Sequence, residues 1–355
     1  MRKIFPKVVR KIAVLRAGVL GDFLICTPAL KALRQAFPNA KIILLARPNL
    51  VSFIQDRYPY IHQVIGIPFY PGILNLMKEY DPRETEKFFK IMEKEGFDLA
   101  IQMHGGGKYS NPFVKKLGAK FTLGAKAVDA KDSLDLNLHY ELYQNEVIRN
   151  LEMLSLIGIK TADFQTEAFV LEKDKKELVQ ALGQAEFGRY LVIHATATDP
   201  RRYWPVENFA QVADNLNREF GLKTVLVGTK EEGKTVKKVE KAMETPAINL
   251  CGLTTLGVLT ALLSRASLVI ANDSGPSHLA VALKIPTVTI FWVGNMITWS
   301  PFFRQNHRPV ISWQVLCPTC NQSKCHHKTS FVKNVPLEEV INQARDLLSR
   351  KSSEP

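Results

Sequence analysis

Short apolar runs rich in Val and Ile alternate along the chain with longer amphipathic stretches. In the first half the runs are KIAVL (11–15), KIILLA (41–46), HQVIGI (62–67) and DLAIQ (98–102). In the second half they are YLVIH (190–194), KTVLV (223–227), AINL (247–250), SLVIA (267–271) and PTVTIF (286–291). Most are continuous rather than alternating, the pattern of strands buried on both faces. Helical periodicity fills the gaps, for example at 206–219, 230–244, 255–264 and 336–349. Strand–helix alternation of this kind predicts parallel sheets with helices on both faces.

The pattern runs twice, once over 11–130 and again over 190–300. Between the two series, 140–157 reads as a helix, followed by the irregular GIKTADFQTEAF. The boundary falls there, giving a first domain at 1–165, a second at 166–335 and a final helix at 336–355. That helix is free to pack on either domain, including back on the first. Two doubly wound domains predict an α/β protein whose ligands bind at strand ends, in a cleft between the domains.

A chain of 355 residues suits two domains at about 150 residues each. No apolar run approaches the ~18–20 residues that span a bilayer. The N-terminus is interrupted by charge and lacks a small-residue cleavage site, so the expected location is cytoplasmic. The net charge of +13 points to anionic partners. Two basic clusters carry much of it: Arg2, Lys3, Lys7, Arg10 and Lys11, then Lys108, Lys115, Lys116, Lys120 and Lys126. Nucleic acid is not the expected partner, because no reading module or aromatic–basic interleaving accompanies the charge.

IAVLRAGVLGDFLICTPALKALRQAF (12–37) reads as strand, glycine turn and helix, with Asp22 where a bound phosphate would be repelled. Thr27 and Pro28 predict that regular helix starts, or restarts after a kink, only at that point. The second half holds the sharper signals. In LVIANDSGPSHLAVALKIPTVTIF (268–291), Asn272, Asp273 and Ser274 end a strand and can cap the next helix. Gly275 permits close approach, and the helix N-terminus with His278 offers donors to a phosphate. In HATATDPRRYWP (194–205), Thr196 and Thr198 can donate to phosphate oxygens, beside Arg201 and Arg202. In GTKEE (228–232), Glu231 and Glu232 stand either to grip a ribose or to complement a helix dipole. HGGGKYSN (104–111) is either an approach for an acidic sugar, with Lys108 adding charge, or a mobile connection.

Five cysteines do not make a disulfide scaffold in a chain this long. Cys26 and Cys251 read as core. LCPTCNQSKCHH (316–327) brings Cys317, Cys320, Cys325 and His326 together as a weak structural zinc candidate. The short spacing after the first pair leaves reduced, non-ligating thiols as the other reading, and no catalytic metal is expected.

These motifs occur in an order that resembles glycosyltransferase family 9, the lipopolysaccharide heptosyltransferases. The elements are GDFLICTPAL (21–30), HAT…WP (194–205), the glycine–acid turn at 228–232, CGLTTL (251–256) and DSGPSHL (273–279). The resemblance implies a GT-B fold, two Rossmann-like domains with the active site between them. It implies inverting, metal-independent transfer of heptose from ADP-heptose to the Kdo or heptose of an inner-core acceptor, with no cofactor. Asp22 would be the catalytic base. Thr196, Thr198, Arg202, Glu231, Glu232, Thr254, Asp273, Ser274, Gly275 and His278 would hold the donor. Gly21, His104 and Lys108 would face the acceptor. The partners would be a nucleotide sugar and an anionic glycolipid, at the cytoplasmic face of the inner membrane. Arg202 stands where the family commonly has Lys, which leaves donor identity open. The alternatives are a family 9-like transferase with another nucleotide sugar or a non-lipopolysaccharide acceptor, or a nucleotide-sugar-binding protein without turnover.

Overall fold

The computed structural model describes residues 5–74, 80–182, 188–322 and 326–351. The chain divides into two compact units, Met1–Thr166 and Glu167–Pro355. In the first, strands β1 (Lys11–Arg16), β2 (Lys41–Ala46), β3 (Gln63–Gly66), β4 (Leu99–Gln102), β5 (Phe121–Lys126) and β6 (Leu136–His139) form one sheet. Its helices are α1 (Leu20–Ala36), α2 (Val51–Ile54), α3 (Pro82–Lys94), α4 (Ser110–Lys115) and α5 (Glu146–Ser155). In the second unit, the strands are β7 (Tyr190–His194), β8 (Lys223–Leu226), β9 (Ala247–Asn249), β10 (Leu268–Asn272), β11 (Thr287–Trp292) and β12 (His307–Ser312). The helices around them begin with α6 (Glu172–Leu182), α7 (Val206–Phe220), α8 (Gly233–Ala242) and α9 (Leu256–Ser264). They end with α10 (Gly275–Ala282), α11 (Val293–Trp299) and α12 (Leu337–Lys351).

All pairings are parallel, and the orders are β3-β2-β1-β4-β5-β6 and β12-β11-β10-β7-β8-β9. Counted from its own first strand, each sheet has the order of a dinucleotide-binding fold. Both central strands are sandwiched in register: Val14 lies between Leu44 and Ile101, and Ile270 between Ile193 and Val288. Each sheet buries its own core, around Leu15, Phe97 and Phe113 in one unit and Ile193, Phe209 and Ile270 in the other. The last helix, α12, packs on α7 and on β10–β12, burying Val340, Ile341, Ala344, Leu347 and Leu348. Among the described residues no helix is long and apolar enough to cross a membrane.

The nine apolar runs all become strands, while β5, β6 and β12 are additions that the pattern did not announce. β5 carries Gly124, where a Cβ would lie 2.7 Å from both the Gln102 Cβ and the Leu134 Cδ1. Close packing there demands a residue that weakens the apolar signal. β12, with Pro309, lies at a sheet edge, where a missing N–H is tolerated. Helix α5 starts later than periodicity suggested, because the Asn145 side chain caps it, accepting from the Val147 N–H at 3.0 Å.

The expectation of a helix starting or restarting at Thr27–Pro28 is overturned. Helix α1 is assigned without a break from Leu20 to Ala36, with Pro28 inside it. Proline removes the N–H that would serve the Leu24 carbonyl. The buried Thr27 hydroxyl donates to that carbonyl at 2.7 Å, supplying a donor where the backbone has none.

Candidate active site

An open α/β sheet binds ligands beyond its strand ends, where the strand order reverses. In the first unit that point lies between β1 and β4. Arg16, the last residue of β1, is 3% exposed and bridges the two strand ends. Its Nη1 donates to the Met103 carbonyl at 2.6 Å, and its Nε donates to the Asp22 carbonyl at 2.8 Å. Nη2 lies 3.2 Å from Asp22 Oδ1. Burial would lower the Arg16 pKa, but the Asp22 and Glu146 carboxylates outweigh it and hold it above its ordinary value. Glu146 also takes Nε of Arg149 at 2.8 Å, and that guanidinium stacks 3.9 Å over the Tyr140 ring.

Asp22 is in the first turn of α1, and its Oδ2 accepts from the Val19 N–H at 2.8 Å. Gly18 makes room for this fold-back, since a Cβ there would stand 2.3 Å from Asp22 Oδ2. A quarter of the Asp22 side chain remains open to solvent (25%). Each oxygen has one partner among the described residues and keeps a lone pair for another donor. The carboxylate therefore caps a helix and stays reachable at the switch point. Gly21 is buried in the same turn.

Across the switch point, the loop after β4 carries His104. Burial, with the Arg16 guanidinium near, pushes its imidazole down to about 4. Two of the three glycines that follow are pinned rather than loose. Gly107 adopts a left-handed φ of 89°, the Ala127 N–H donates to Gly106 O at 2.7 Å, and a Cβ on Gly106 would meet Ala127 at 2.8 Å. Lys108 lies outside this packing, half-exposed and 3.2 Å from Asp129. The basic run beyond it is largely matched: Lys115 pairs with Asp132 at 2.7 Å and Lys120 with Asp98 at 2.8 Å.

In the second unit the switch point lies between β7 and β10. Asn272 joins the two ends, donating from Nδ2 to the Ala195 carbonyl at 2.9 Å and accepting from the Trp204 N–H at 3.1 Å. Trp204 is buried, with its indole N–H on the Val335 carbonyl at 3.0 Å. The segment between β7 and Trp204 is thus fixed at its far end, and it carries Arg202. One arm of that guanidinium reaches the Asp273 carbonyl at 3.0 Å and its Oδ2 at 3.2 Å. The other donates to the Thr198 hydroxyl at 2.6 Å. Arg201 is engaged by Asp199 at 2.6 Å.

Asp273 is the hub of this site. It is 1% exposed, and its carboxylate faces Arg202, His278 Nε2 at 3.1 Å and Asn295 Nδ2 at 2.6 Å. Burial alone would raise its pKa. The His278 hydrogen bond and the nearby charges of His278 and Arg202, with the Asn295 amide, hold it below the carboxylate range instead. Its negative charge thus orients the Arg202 guanidinium and the His278 imidazole. Ser274 precedes α10, and its hydroxyl donates to the Asn272 carbonyl and faces His194 Nδ1, each at 3.0 Å. Gly275 and His278 lie in the first turn of α10.

The turn after β8 approaches the same place. Thr196 donates to Glu232 Oε1 at 2.5 Å, His194 Nε2 lies 3.5 Å from Oε2, and the Thr229 N–H donates to Oε2 at 2.7 Å. Burial pushes the Glu232 pKa up, but these donors bring it down to about 2. Glu231 is exposed beside it. Thr254 is half-buried, next to the Thr255 that caps α9. Cys251, expected in the core, is only half-buried, with its thiol on the Thr229 carbonyl at 3.0 Å.

The sequence reading assigned no role to Arg16, Glu146, His194 or Asn295. A charge ending the otherwise apolar run IAVLR was the available signal for Arg16. Asn295 and Glu146 are remote in sequence from the groups they serve, and only the fold brings them in. Of the cysteine cluster, Cys317 and Cys320 do converge, with His327 rather than His326. Cys325 lies outside the described residues.

Two sheets of one strand order, each with converging polar groups at its switch point, define a GT-B glycosyltransferase fold. The profile of glycosyltransferase family 9 (heptosyltransferase) matches residues 85–334, and the chain belongs to that family. It is therefore a glycosyltransferase. It is 31% identical over 349 residues to lipooligosaccharide heptosyltransferase 2 of Campylobacter jejuni, covering 93% of this chain and 95% of that one. It is 26% identical over 349 residues to lipopolysaccharide heptosyltransferase 3 of Escherichia coli K12, covering 92% and 95%. The fold matches Escherichia coli ADP-heptose LPS heptosyltransferase II with a TM-score of 0.75 at 19% identity, over 97% of this chain and 100% of that one.

Proposed function

We propose that this transferase moves heptose from ADP-heptose to a Kdo or heptose residue of an inner-core lipopolysaccharide acceptor, with inversion and without a metal. The names of its relatives support the sugar and the acceptor class. The observation that carries the donor assignment is the cluster of hydrogen-bond donors at the second switch point, where buried Asp273 aims Arg202 and His278 beside the start of α10. Such a cluster suits a nucleoside diphosphate. The second unit is then the donor domain, with Thr196, Thr198, Ser274 and Gly275 at the phosphates. Glu231 or Glu232 takes the ribose, and Thr254 lies near the nucleotide. The first unit is the acceptor domain, with Asp22 as base and Gly21, His104 and Lys108 toward the acceptor sugar.

In this reading, Asp22 takes the proton of an acceptor hydroxyl as its oxygen bonds to the anomeric carbon. The bond from that carbon to the diphosphate breaks, and ADP leaves with the electron pair. A single displacement inverts the configuration. Arg202, His278 and the α10 N-terminus oppose the charge growing on the diphosphate, the role a divalent cation would otherwise fill. The anionic acceptor and the net charge of +13 support peripheral attachment at the cytoplasmic membrane face. Co-sedimentation that ignores the anionic lipid content of vesicles would refute that part.

The deciding experiment is a thermal-shift panel with ADP, UDP, GDP and CDP. A selective ADP shift is expected; a selective UDP shift would replace the donor with another nucleotide sugar.

A further inference from the structure

Between β12 and α12 the chain makes an excursion that the transfer chemistry does not use. Within it, CPTCN (317–321) closes on itself: the Asn321 N–H donates to the Cys317 carbonyl at 2.8 Å, and the Cys317 N–H to the Gln322 carbonyl at 2.9 Å. Asn321 takes a left-handed φ of 56°, the conformation that reverses the chain directly after the second cysteine. On the returning stretch, the Thr329 and Thr319 hydroxyls hydrogen-bond at 2.6 Å, tying it to the turn. His327, two residues earlier, is thereby held against the two cysteines. One ligand atom from each of Cys317, Cys320 and His327 lies within 4.8 Å of the others.

Apolar packing does not account for this gathering. Cys317 is buried, but Cys320 is half-buried and His327 exposed, so the three do not share a hydrophobic interior. Two sulfurs and an imidazole within one coordination sphere are a soft and borderline donor set without a carboxylate. That set excludes calcium and magnesium and suits zinc. Zinc–sulfur bonds of about 2.3 Å and zinc–nitrogen bonds of about 2.0 Å set tetrahedral ligand separations that fall inside this 4.8 Å limit.

We propose that Cys317, Cys320 and His327 bind one zinc ion. Binding displaces the two thiol protons and takes the imidazole in its neutral form. The ion acts as a staple between the CPTC turn and the returning stretch. The far end of that excursion is bonded to the segment bearing Arg202: the Phe331 N–H donates to the Arg201 carbonyl at 2.7 Å, and the Ser330 hydroxyl to the Tyr203 carbonyl at 2.6 Å. The site thus braces the Arg202 segment, a consequence that rests on the donor reading; zinc binding itself does not.

The test is elemental analysis of the full chain, purified without a metal-affinity column or chelator. One zinc per chain is expected in the wild type, and loss of that zinc in Cys320→Ser and in His327→Ala. Wild-type protein stripped with chelator should compete with a chromophoric indicator for added Zn²⁺ and gain thermal stability from it. Cobalt added to the same stripped protein should give a thiolate-to-cobalt charge-transfer band. A wild type that neither carries zinc nor competes for it overturns the proposal, as does equal zinc in both variants. Stoichiometric iron at these residues overturns the choice of metal. None of these readouts involves a sugar nucleotide, so failure here is separable from failure of the transferase reading.

Discussion

Arg16 holds Asp22 at two points, its Nε on the Asp22 main-chain oxygen at 2.8 Å and its Nη2 near the carboxylate at 3.2 Å. The acid therefore has a fixed direction before any ligand arrives. A base whose position is set in advance does not lose orientational freedom at the moment of proton transfer. In the proposed chemistry Arg16 is a positioning residue and Asp22 the catalytic one.

Replacing Asp22 by Asn keeps the size and the Val19 contact but removes the basic oxygen. The expected result is a loss of turnover of about a hundred- to ten-thousand-fold, with ADP affinity unchanged. Steady-state rates and nucleotide titration on the same preparation check this, and wild-type turnover would remove Asp22 from the mechanism.

Asp273→Asn should act differently. It strips charge from the partner of Arg202 and His278, and breaking a buried ion pair costs about 3–5 kcal/mol. Both stability and ADP affinity should fall, read by urea unfolding and by calorimetric titration. A variant that binds ADP as tightly as wild type would show that Asp273 does not orient the diphosphate donors.

Thr27 and Pro28 form a testable pair. Thr27→Val keeps the shape but leaves the Leu24 carbonyl without its hydroxyl donor, costing about 1–3 kcal/mol. In a Pro28→Ala background the restored backbone N–H can serve the same carbonyl, so the cost should shrink. Denaturant midpoints of the four proteins give the coupling; equal costs in both backgrounds would disprove the relation.

Acid stability should fall in two steps. His104 and His307 both drop from 6.5 to about 4 through burial, so the unfolded chain binds more protons than the native one between those values. Stability then declines as pH falls from about 6.5 to about 4. Glu232, lowered from 4.5 to about 2, contributes stability above its unfolded value that is lost as pH falls through the lower range. Urea midpoints against pH should flatten across the upper window in a His104→Asn/His307→Gln variant. An unchanged slope would show that these histidines do not control it.

Much of the fold was legible because buried parallel strands advertise themselves as continuous apolar runs. Two of the three exceptions were strands whose positions required residues that dilute the signal, Gly124 in β5 and Pro309 in β12. Local motifs located the loops that converge at each switch point, because the strand immediately before each loop was plain. Supporting residues were another matter. Glu146 reaches Arg16 from a different helix, and Asn295 reaches Asp273 from beyond β11. Periodicity carries no record of such meetings. Asp22 looked like a misfit in a phosphate turn, yet with Gly18 beneath it the turn is shaped around a carboxylate.

The reversal of strand order at each switch point also has a kinetic consequence. Arg16 and Met103, which tie the two strand ends in one unit, are 87 residues apart, and His194 and Ser274 in the other are 80 apart. Neighbours such as β1 and β2 meet across one helix, whereas these contacts must close the longest loops in their sheets. Each unit should therefore assemble outward from its locally paired strands and complete its ligand-facing edge late. Pulse-labelled amide exchange during refolding would show protection at β2 and β8 preceding that at Met103 and Ser267, whose N–H groups donate to the Leu15 and Tyr190 carbonyls across the switch points. A nascent or partly refolded chain would then hold native secondary structure while its chemistry was still unbuilt.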